Sequence, residues 1–311
     1  MTQSLAQLGP VQTTVREAQR ALDALWARTE IEMRAYTGNI VALTEKRHLE
    51  RVEEALSQLG GRYAGRQIIG VMDGDESVGV TACLVPQRGL YVERLVLDAN
   101  PEQLRGAILP LLRPATVNHI WWASSTAPGG ELLAELAELA DQVIADTLRL
   151  GIPVDHRYAL SDLGWARTAG WRELTAQLFD APEAAAQLPK LTGITVRHAG
   201  SNRSPARLFA GWITSKLGWL DFSRVRLESD AGCSRENGDL CGVELTGNGV
   251  RFSIGAQAHS VQSACKYGEV EHAMEVPLPH MTLAEGLGVV MAQVEQNENF
   301  LDALEVARRL S

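Results

Sequence analysis

Between Asn118 and Thr147 the chain reads NHIWWASSTAPGGELLAELAELADQVIADT: a strand, a loop, a helix and a second strand in direct succession. Such alternation calls for a sheet covered by helices, a layered α/β architecture. The same alternation runs upstream. NIVAL (Asn39–Leu43) reads as a strand, Thr44 caps a helix carrying Leu49, Val52, Leu56 and Leu59, and Gly60-Gly61 stops it. RQIIGVM is the next strand. Val78, Val80, Ala82 and Leu84 then alternate with Ser77, Gly79, Thr81 and Cys83, the pattern of a half-buried strand. PQRG joins that strand to GLYVERLVLD as an antiparallel pair. Asn100 and Pro101 start a helix as cap and first-turn residue, with Leu104, Ile108, Leu111 and Leu112 inward. Near the beginning, VQTTVREAQRALDALWAR places Val15, Ala18, Ala21, Leu22 and Leu25 on one helical stripe.

Beyond DQVIAD, whose Asp146 is placed to cap the following turn, the texture changes. LSDLGWARTAGWRELTAQLFD is helical, and APEAAAQLPK reads as a connector. LTGITVRHAG is a strand, and a helix runs from Ser204-Pro205 through Trp212 to Leu217. SRVRLES, CGVELTG, VRFSIGAQ, SVQSACKYG and VEHAMEVP are short strands of an antiparallel sheet, two of them joined by the tight turn GNGV. Thr282 and Glu285 have capping-box spacing before a helix with Leu287, Val290, Met291 and Val294, and a last helix carries Leu301, Leu304 and Leu310. The fold class expected is α/β and α+β in two domains. Residues 1–160 form a mixed sheet with helices, and residues 161–311 open on a helical segment and form an antiparallel sheet with helices.

An apolar content of 45% is ample for a core. The net charge of −9 leaves no basic stripe for nucleic acid and no polybasic membrane contact. No apolar run approaches the roughly 20 residues that span a bilayer. The first residues lack the basic and apolar regions of a secretory signal, and four cysteines are too few for a disulfide scaffold in a chain this long. A cytoplasmic protein is expected.

Catalytic patterns are missing. There is no G-x-S-x-G elbow, no H-E-x-x-H and no Walker or dinucleotide glycine motif. Asp155, His156 and Ser161 crowd one loop, but triads gather residues from distant segments, so a polar loop is the simpler reading. Cys233, Cys241, His259, Cys265 and His272 have spacings unlike any zinc knuckle or ribbon. No catalytic residue, metal or cofactor is expected. Cys233 and Cys241 flank the loop SRENGDL and are either idle reduced thiols or a redox pair. In HAGSNRSPARL a strand end runs into a helix N-terminus, so Gly200, Ser201, Arg203, Ser204 and Arg207 could hold an anion, or Ser-Pro could be an ordinary cap.

The tryptophans carry more. Adjacent strand residues point to opposite faces, so one ring of Trp121 and Trp122 enters the core and the other is expected near the loop surface of SSTAPGG. Trp171 and Trp212 lie on apolar helical faces and belong to a core. Interfaces are enriched in tryptophan and arginine. Trp121, Trp122, Pro128, Trp165, Arg167 and Arg172 are therefore the candidate partner contacts.

In order along the chain stand Trp121-Trp122 ending a strand, Ala140-Asp141 to Asp146, Asp162-Leu163 with Trp165 and Arg167, Trp171-Arg172, and Gly211-Trp212 to Gly218-Trp219. This succession resembles the OpcA family of glucose-6-phosphate dehydrogenase assembly proteins over roughly residues 40 to 300. One departure is TAGWR (Thr168 to Arg172), where the family usually reads T-P-W-R. The resemblance implies a non-catalytic partner that assists assembly and activation of glucose-6-phosphate dehydrogenase in the oxidative pentose phosphate pathway, in some members under thiol control. The alternative is a sugar-phosphate or anion sensor using the Gly200–Arg207 junction.

Overall fold

The computed structural model describes residues 6–30, 34, 36–59, 63, 65–87, 89–114, 117–129, 131–257 and 260–310. The helix stop expected at Gly60-Gly61, and His259, lie outside these residues. The chain begins β1 (Leu8–Thr13), α1 (Ala18–Trp26), β2 (Asn39–Thr44), α2 (Leu49–Gln58), β3 (Arg66–Val71), β4 (Gly79–Gln87), β5 (Leu90–Asp98) and α3 (Pro101–Ile108). Next come β6 (Asn118–Trp122), α4 (Leu132–Ala137), β7 (Gln142–Ala145), α5 (Thr147–Leu150) and β8 (Ala159–Asp162). Then follow α6 (Leu163–Arg167), α7 (Ala169–Gln177), α8 (Pro182–Ala185), β9 (Leu191–His198), α9 (Ser204–Lys216) and β10 (Val225–Ser229). The last elements are β11 (Leu240–Gly247), β12 (Val250–Ala256), β13 (Ser260–Tyr267), β14 (Val270–Pro277), α10 (Leu283–Met291) and α11 (Glu298–Ala307). The chain divides into two compact units, Met1–Asp162 with Leu283–Gln296, and Leu163–Thr282 with Asn297–Ser311.

In the first unit eight strands run in the order β1-β4-β5-β3-β2-β6-β7-β8. The six from β5 to β8 are parallel, and β4 and β1 add to one edge antiparallel. β2 and β3 are buried along their whole length, as parallel strands covered on both faces are. Gly70 of β3 faces Leu104 and Ile108 of α3, whereas Gln67 turns the other way and donates to Leu56 O of α2 at 3.3 Å. The Asn100 cap accepts from Gln103 N at 3.0 Å, and Asp146 accepts from Arg149 N at 3.4 Å.

Two strands were not expected. The VQT (Val11–Thr13) that begins the segment read as helical belongs to β1, an exposed edge strand, and β8 lies in the stretch read as a polar loop. Both are edge strands made by their neighbours, too short or too exposed for periodicity to reveal them. A larger difference concerns α10, which was assigned to the second domain and instead packs beside α2. Buried Gln142 donates Nε2 to Val290 O (2.8 Å) and Gln293 O (3.0 Å), and Tyr63 OH donates to Gly288 O (2.8 Å). Gly288 O and Val290 O also accept from Ala292 N (3.3 Å) and Gln293 N (3.1 Å), so these side chains add second partners at the end of α10.

The second unit is a six-stranded sheet in the order β10-β9-β11-β12-β13-β14. It is antiparallel except at one place: β10 lies parallel to β9, where a wholly antiparallel sheet was expected. The reason is the helix between them, because a strand–helix–strand crossover returns the chain in the same direction. Phe209, Phe252, Ile254, Val196 and Leu245 form its core, with Phe179 of the segment after α7 packed on Phe252 at 4.4 Å between ring centroids. α9 and α11 cross at Gly211, which is buried.

Candidate functional site

Six parallel strands place their carboxyl ends on one rim of the first unit. Strand order reverses there: β3 lies on one side of β2 and β6 on the other. In open α/β sheets the crevice outside such a switch point is where cofactors bind, on glycine-rich turns that expose backbone amides. This chain puts Thr44-Glu45-Lys46 at the first turn and Ala123 to Thr126 opposite. Ser124 Oγ donates to Glu45 Oε1 at 2.6 Å, and Thr126 N donates to Ser124 Oγ at 2.9 Å. Arg47 donates to Ser125 Oγ, and Arg149 Nη1 to Ser125 O at 2.8 Å. Burial works to raise the Glu45 carboxyl, but hydrogen bonds from Ser124 and Thr126 outweigh it and hold the group below its ordinary value. Asp73 takes Lys46 N at 2.8 Å, and Asp98 lies 3.2 Å from Lys46 Nζ. The rim therefore presents carboxylates where a phosphate cradle would present amides, and its own side chains tie the two turns together.

Both tryptophans of the doublet are buried, Trp121 at 3% and Trp122 at 4% exposure. Neither faces a surface, contrary to expectation. β6 is interior, between β2 and β7, so each ring enters one of two helix layers. Trp122 also folds the following loop over itself by donating Nε1 to Thr126 O at 2.9 Å. Of the expected contacts in this unit, only Pro128 is partly open, between exposed Ala127 and Gly129.

The other three candidates gather in the second unit. Trp165 is 7% exposed and packs on Phe300 of α11, with ring centroids 5.8 Å apart. The Arg172 guanidinium lies over the Trp165 ring, 3.4 Å from its centroid, and donates Nη1 to Trp165 O (2.6 Å) and Thr168 Oγ1. Those acceptors are neutral, and burial pulls the Arg172 pKa down to about 9. At TAGWR the Thr168 side chain bonds Trp165 O rather than capping α7, which starts at Ala169.

Cys233 and Cys241 are joined in a disulfide, so the reading of idle reduced thiols is corrected; their Cα atoms are 6.1 Å apart. The loop they close reaches α6 and α7. Arg167 lies 3.6 Å from Asp239, and Arg235 sits 5.6 Å from the Trp171 ring centroid. His280 stands 2.9 Å from Asp239 Oδ2 and 3.3 Å from Glu236 Oε1. Arg235, Glu236, Asp239 and His280 carried no sequence signal, because folding alone brings them to the α6–α7 motif.

The Gly200–Arg207 junction does not offer the open anion cradle expected. Asn202 N donates to Asn237 Oδ1 (2.9 Å), and Ser204 N to Asn202 Oδ1 (3.1 Å). Arg207 gives Nη2 to Ala307 O (2.8 Å) and Leu310 O (2.6 Å), closing the end of α11. Ser204 is buried, while Ser201 is exposed and Arg203 precedes the helix. Gly200 adopts φ +63°, and a side chain there would strike Asn237. Among the described residues no helix is long and apolar enough to cross a membrane.

These features define a class: a doubly wound α/β unit whose switch point is filled by its own side chains, followed by an α+β unit with a charged clasp on its first helices. The model described as glucose-6-phosphate dehydrogenase subunit N-terminal domain matches residues 56–162, and the one described as its C-terminal domain matches residues 158–304. The chain belongs to the OpcA family of glucose-6-phosphate dehydrogenase assembly proteins. Relatives named "Putative OxPP cycle protein OpcA" include one from Nostoc punctiforme, 32% identical over 155 residues (47% of this chain, 33% of the relative). Those of Synechocystis sp. (31% over 132 residues; 39% and 28%) and Synechococcus elongatus (30% over 136; 40% and 31%) are similar to a like degree. Each match spans about a third of the relative's length. Gal80p of Saccharomyces cerevisiae, in its super-repressor mutant structure, aligns over 88% of this chain and 94% of its own at 9% identity and TM-score 0.46. A likeness that low says nothing about function.

Proposed function

We propose that this chain is a non-catalytic partner of glucose-6-phosphate dehydrogenase that promotes its assembly and activation in the oxidative pentose phosphate pathway. Beyond family membership, the observation that carries this reading is the filled switch point: Glu45, Asp73 and Asp98 stand where an α/β dehydrogenase would hold cofactor phosphates. An activator must bind the active conformation of its target better than the inactive one, since only that difference moves the population. A coupling of about 1–3 kcal/mol would change substrate affinity about 5- to 150-fold.

The contact residues proposed are Arg167 and Arg172 in the second unit and the loop at Pro128 in the first. Trp121, Trp122 and Trp165 serve as their buried supports. Arg172 is the strongest, because a desolvated guanidinium bound to neutral acceptors has its electrostatic capacity left for a partner's carboxylate. Co-purification with the dehydrogenase of the same organism, and kinetics with and without the chain, test the proposal; identical rates and saturation with no co-elution would end it. Arg172→Gln is expected to weaken binding by about 1 kcal/mol or more, about fivefold. A folded variant with full affinity removes Arg172 from the surface. The same assay before and after reduction addresses Cys233–Cys241, and unchanged activation excludes a regulatory part for the pair.

A further inference from the structure

The first unit holds a groove of about 800 Å³ between α1 and α3, walled at one end by the segment from Pro110 to Pro114. Its volume lies within the range of small-molecule sites, about 300–1,000 Å³. We propose that it binds a small organic anion, an acid group carried on an apolar body, at a site separate from the switch point and from the α6–α7 clasp.

Charge at the floor is the first support. Arg66, 3% exposed, lines the groove together with Arg113 and, at the rim, Arg16. The carboxylates facing them are Glu93, beneath the floor, and Glu102 at the rim; nearby Asp23 is taken by Arg34 at 2.9 Å. Three cations thus meet two anions in partly dry surroundings, where an unbalanced charge acts strongly. Arg113 is the less satisfied cation. Its bond to Glu93 runs from Nη2 to Oε1 at 3.3 Å, and its Nε is buried with no acceptor among the described residues. Buried donors nearly always find a partner, so this guanidinium is under-satisfied, and its side chain, 27% exposed, is still open to a ligand oxygen. The guanidinium lies over the Tyr36 ring, 4.3 Å from its centroid.

The walls supply the apolar half. Val15, Val78, Ala107 and Leu112 line the groove. Gly106 stands inside α3, and a Cβ built there would meet nothing within 4 Å. Glycine is the poorest helix former after proline, and no contact among the described residues requires it at this position. Its absent side chain keeps the wall open to an occupant.

Calorimetry on the full chain, without any dehydrogenase, tests the proposal with inorganic phosphate, phenyl phosphate and benzoate at low ionic strength. Phenyl phosphate or benzoate is expected to bind about tenfold more tightly than inorganic phosphate, because the apolar body is seated too. Which of the two binds better tells phosphate from carboxylate. Gly106→Leu fills the groove, leaves every charge in place and favours the helix; it is expected to lower affinity at least about tenfold. Should that variant not fold, Arg16→Gln, at an exposed rim position, is expected to lower affinity about threefold. No saturable heat with any probe, or unchanged affinity in the folded variant, overturns the proposal. Neither result bears on the dehydrogenase partnership, which a separate assay reads.

Discussion

Glu93→Leu is expected to destabilise the first unit by about 3–5 kcal/mol, read as a shift in the denaturation midpoint. Glu93 is 1% exposed at the centre of a network that ties its strand to four other segments. Its Oε2 accepts from Arg66 Nε (2.9 Å) and Nη2 (2.6 Å); its Oε1 accepts from Trp26 Nε1 (2.9 Å), Tyr36 OH and Arg113 Nη2 (3.3 Å). Removing the carboxylate leaves Arg66 buried with its charge uncompensated, which costs far more than the pair itself contributes. Replacing Arg66 by Met in the same chain is expected to restore much of the loss. A single variant that loses less than about 1 kcal/mol would show that water reaches the guanidinium.

The same cluster sets two limbs of pH dependence. Burial tends to raise the Glu93 carboxyl, but the Arg66 charge and hydrogen bonds from Tyr36, Arg66 and Trp26 outweigh it and hold it below its ordinary value. Its contribution is therefore complete above the unfolded value of 4.5 and is lost as pH falls through the lowered folded value. Tyr36 moves the opposite way, pushed up to about 12 by burial and by the bond it donates to Glu93. Its contribution is complete below the ordinary tyrosine value of 10.0 and is lost as pH rises from there towards about 12. Tyr36→Phe is expected to flatten that alkaline limb and, by removing one of the hydrogen bonds that lower Glu93, to make the acid limb shallower. Denaturation midpoints across pH check both signs.

Gly211→Val is expected to cost the second unit about 2 kcal/mol or more, against the rule that glycine is a poor helix residue. A Cβ at Gly211 would fall well inside contact of Ala303 O and 3.0 Å from Ala307 N, both backbone atoms of α11. No rotamer relieves such a clash, so the whole of α11 has to shift. Gly106→Ala, where the space is open, is the control and is expected to gain up to about 1 kcal/mol. Equal gains from both substitutions would mean that α9 and α11 do not approach as closely as described.

Much of this molecule was written in short-range pattern. The parallel strands showed as apolar runs separated by helical stretches; the Asn100 and Asp146 caps and the antiparallel hairpins showed as spacing. Local backbone preference and burial act over a few residues, so a linear reading recovers them. The order of tryptophan and arginine motifs was equally legible and agreed with the family. What the candidate sites do was less so. Trp122 could be seen as a strand residue, but whether it met solvent depended on how many layers covered β6.

The amino-acid order alone thus determined the class of each half, the Asn100 and Asp146 caps and the hairpin turns, and it holds no glycine-rich cofactor turn. The expected Thr44 cap is not made, since Glu45 and His48 precede the helical turns there. Only the tertiary structure decided that both tryptophans are enclosed, that α10 returns to the first unit, that Glu93 neutralises Arg66, and that Asp239 and His280 meet at α6. These are pairings between residues far apart in the chain. Periodicity carries no information about them, because desolvation and charge pairing depend on distance in space, and that distance exists only once the sheets have formed.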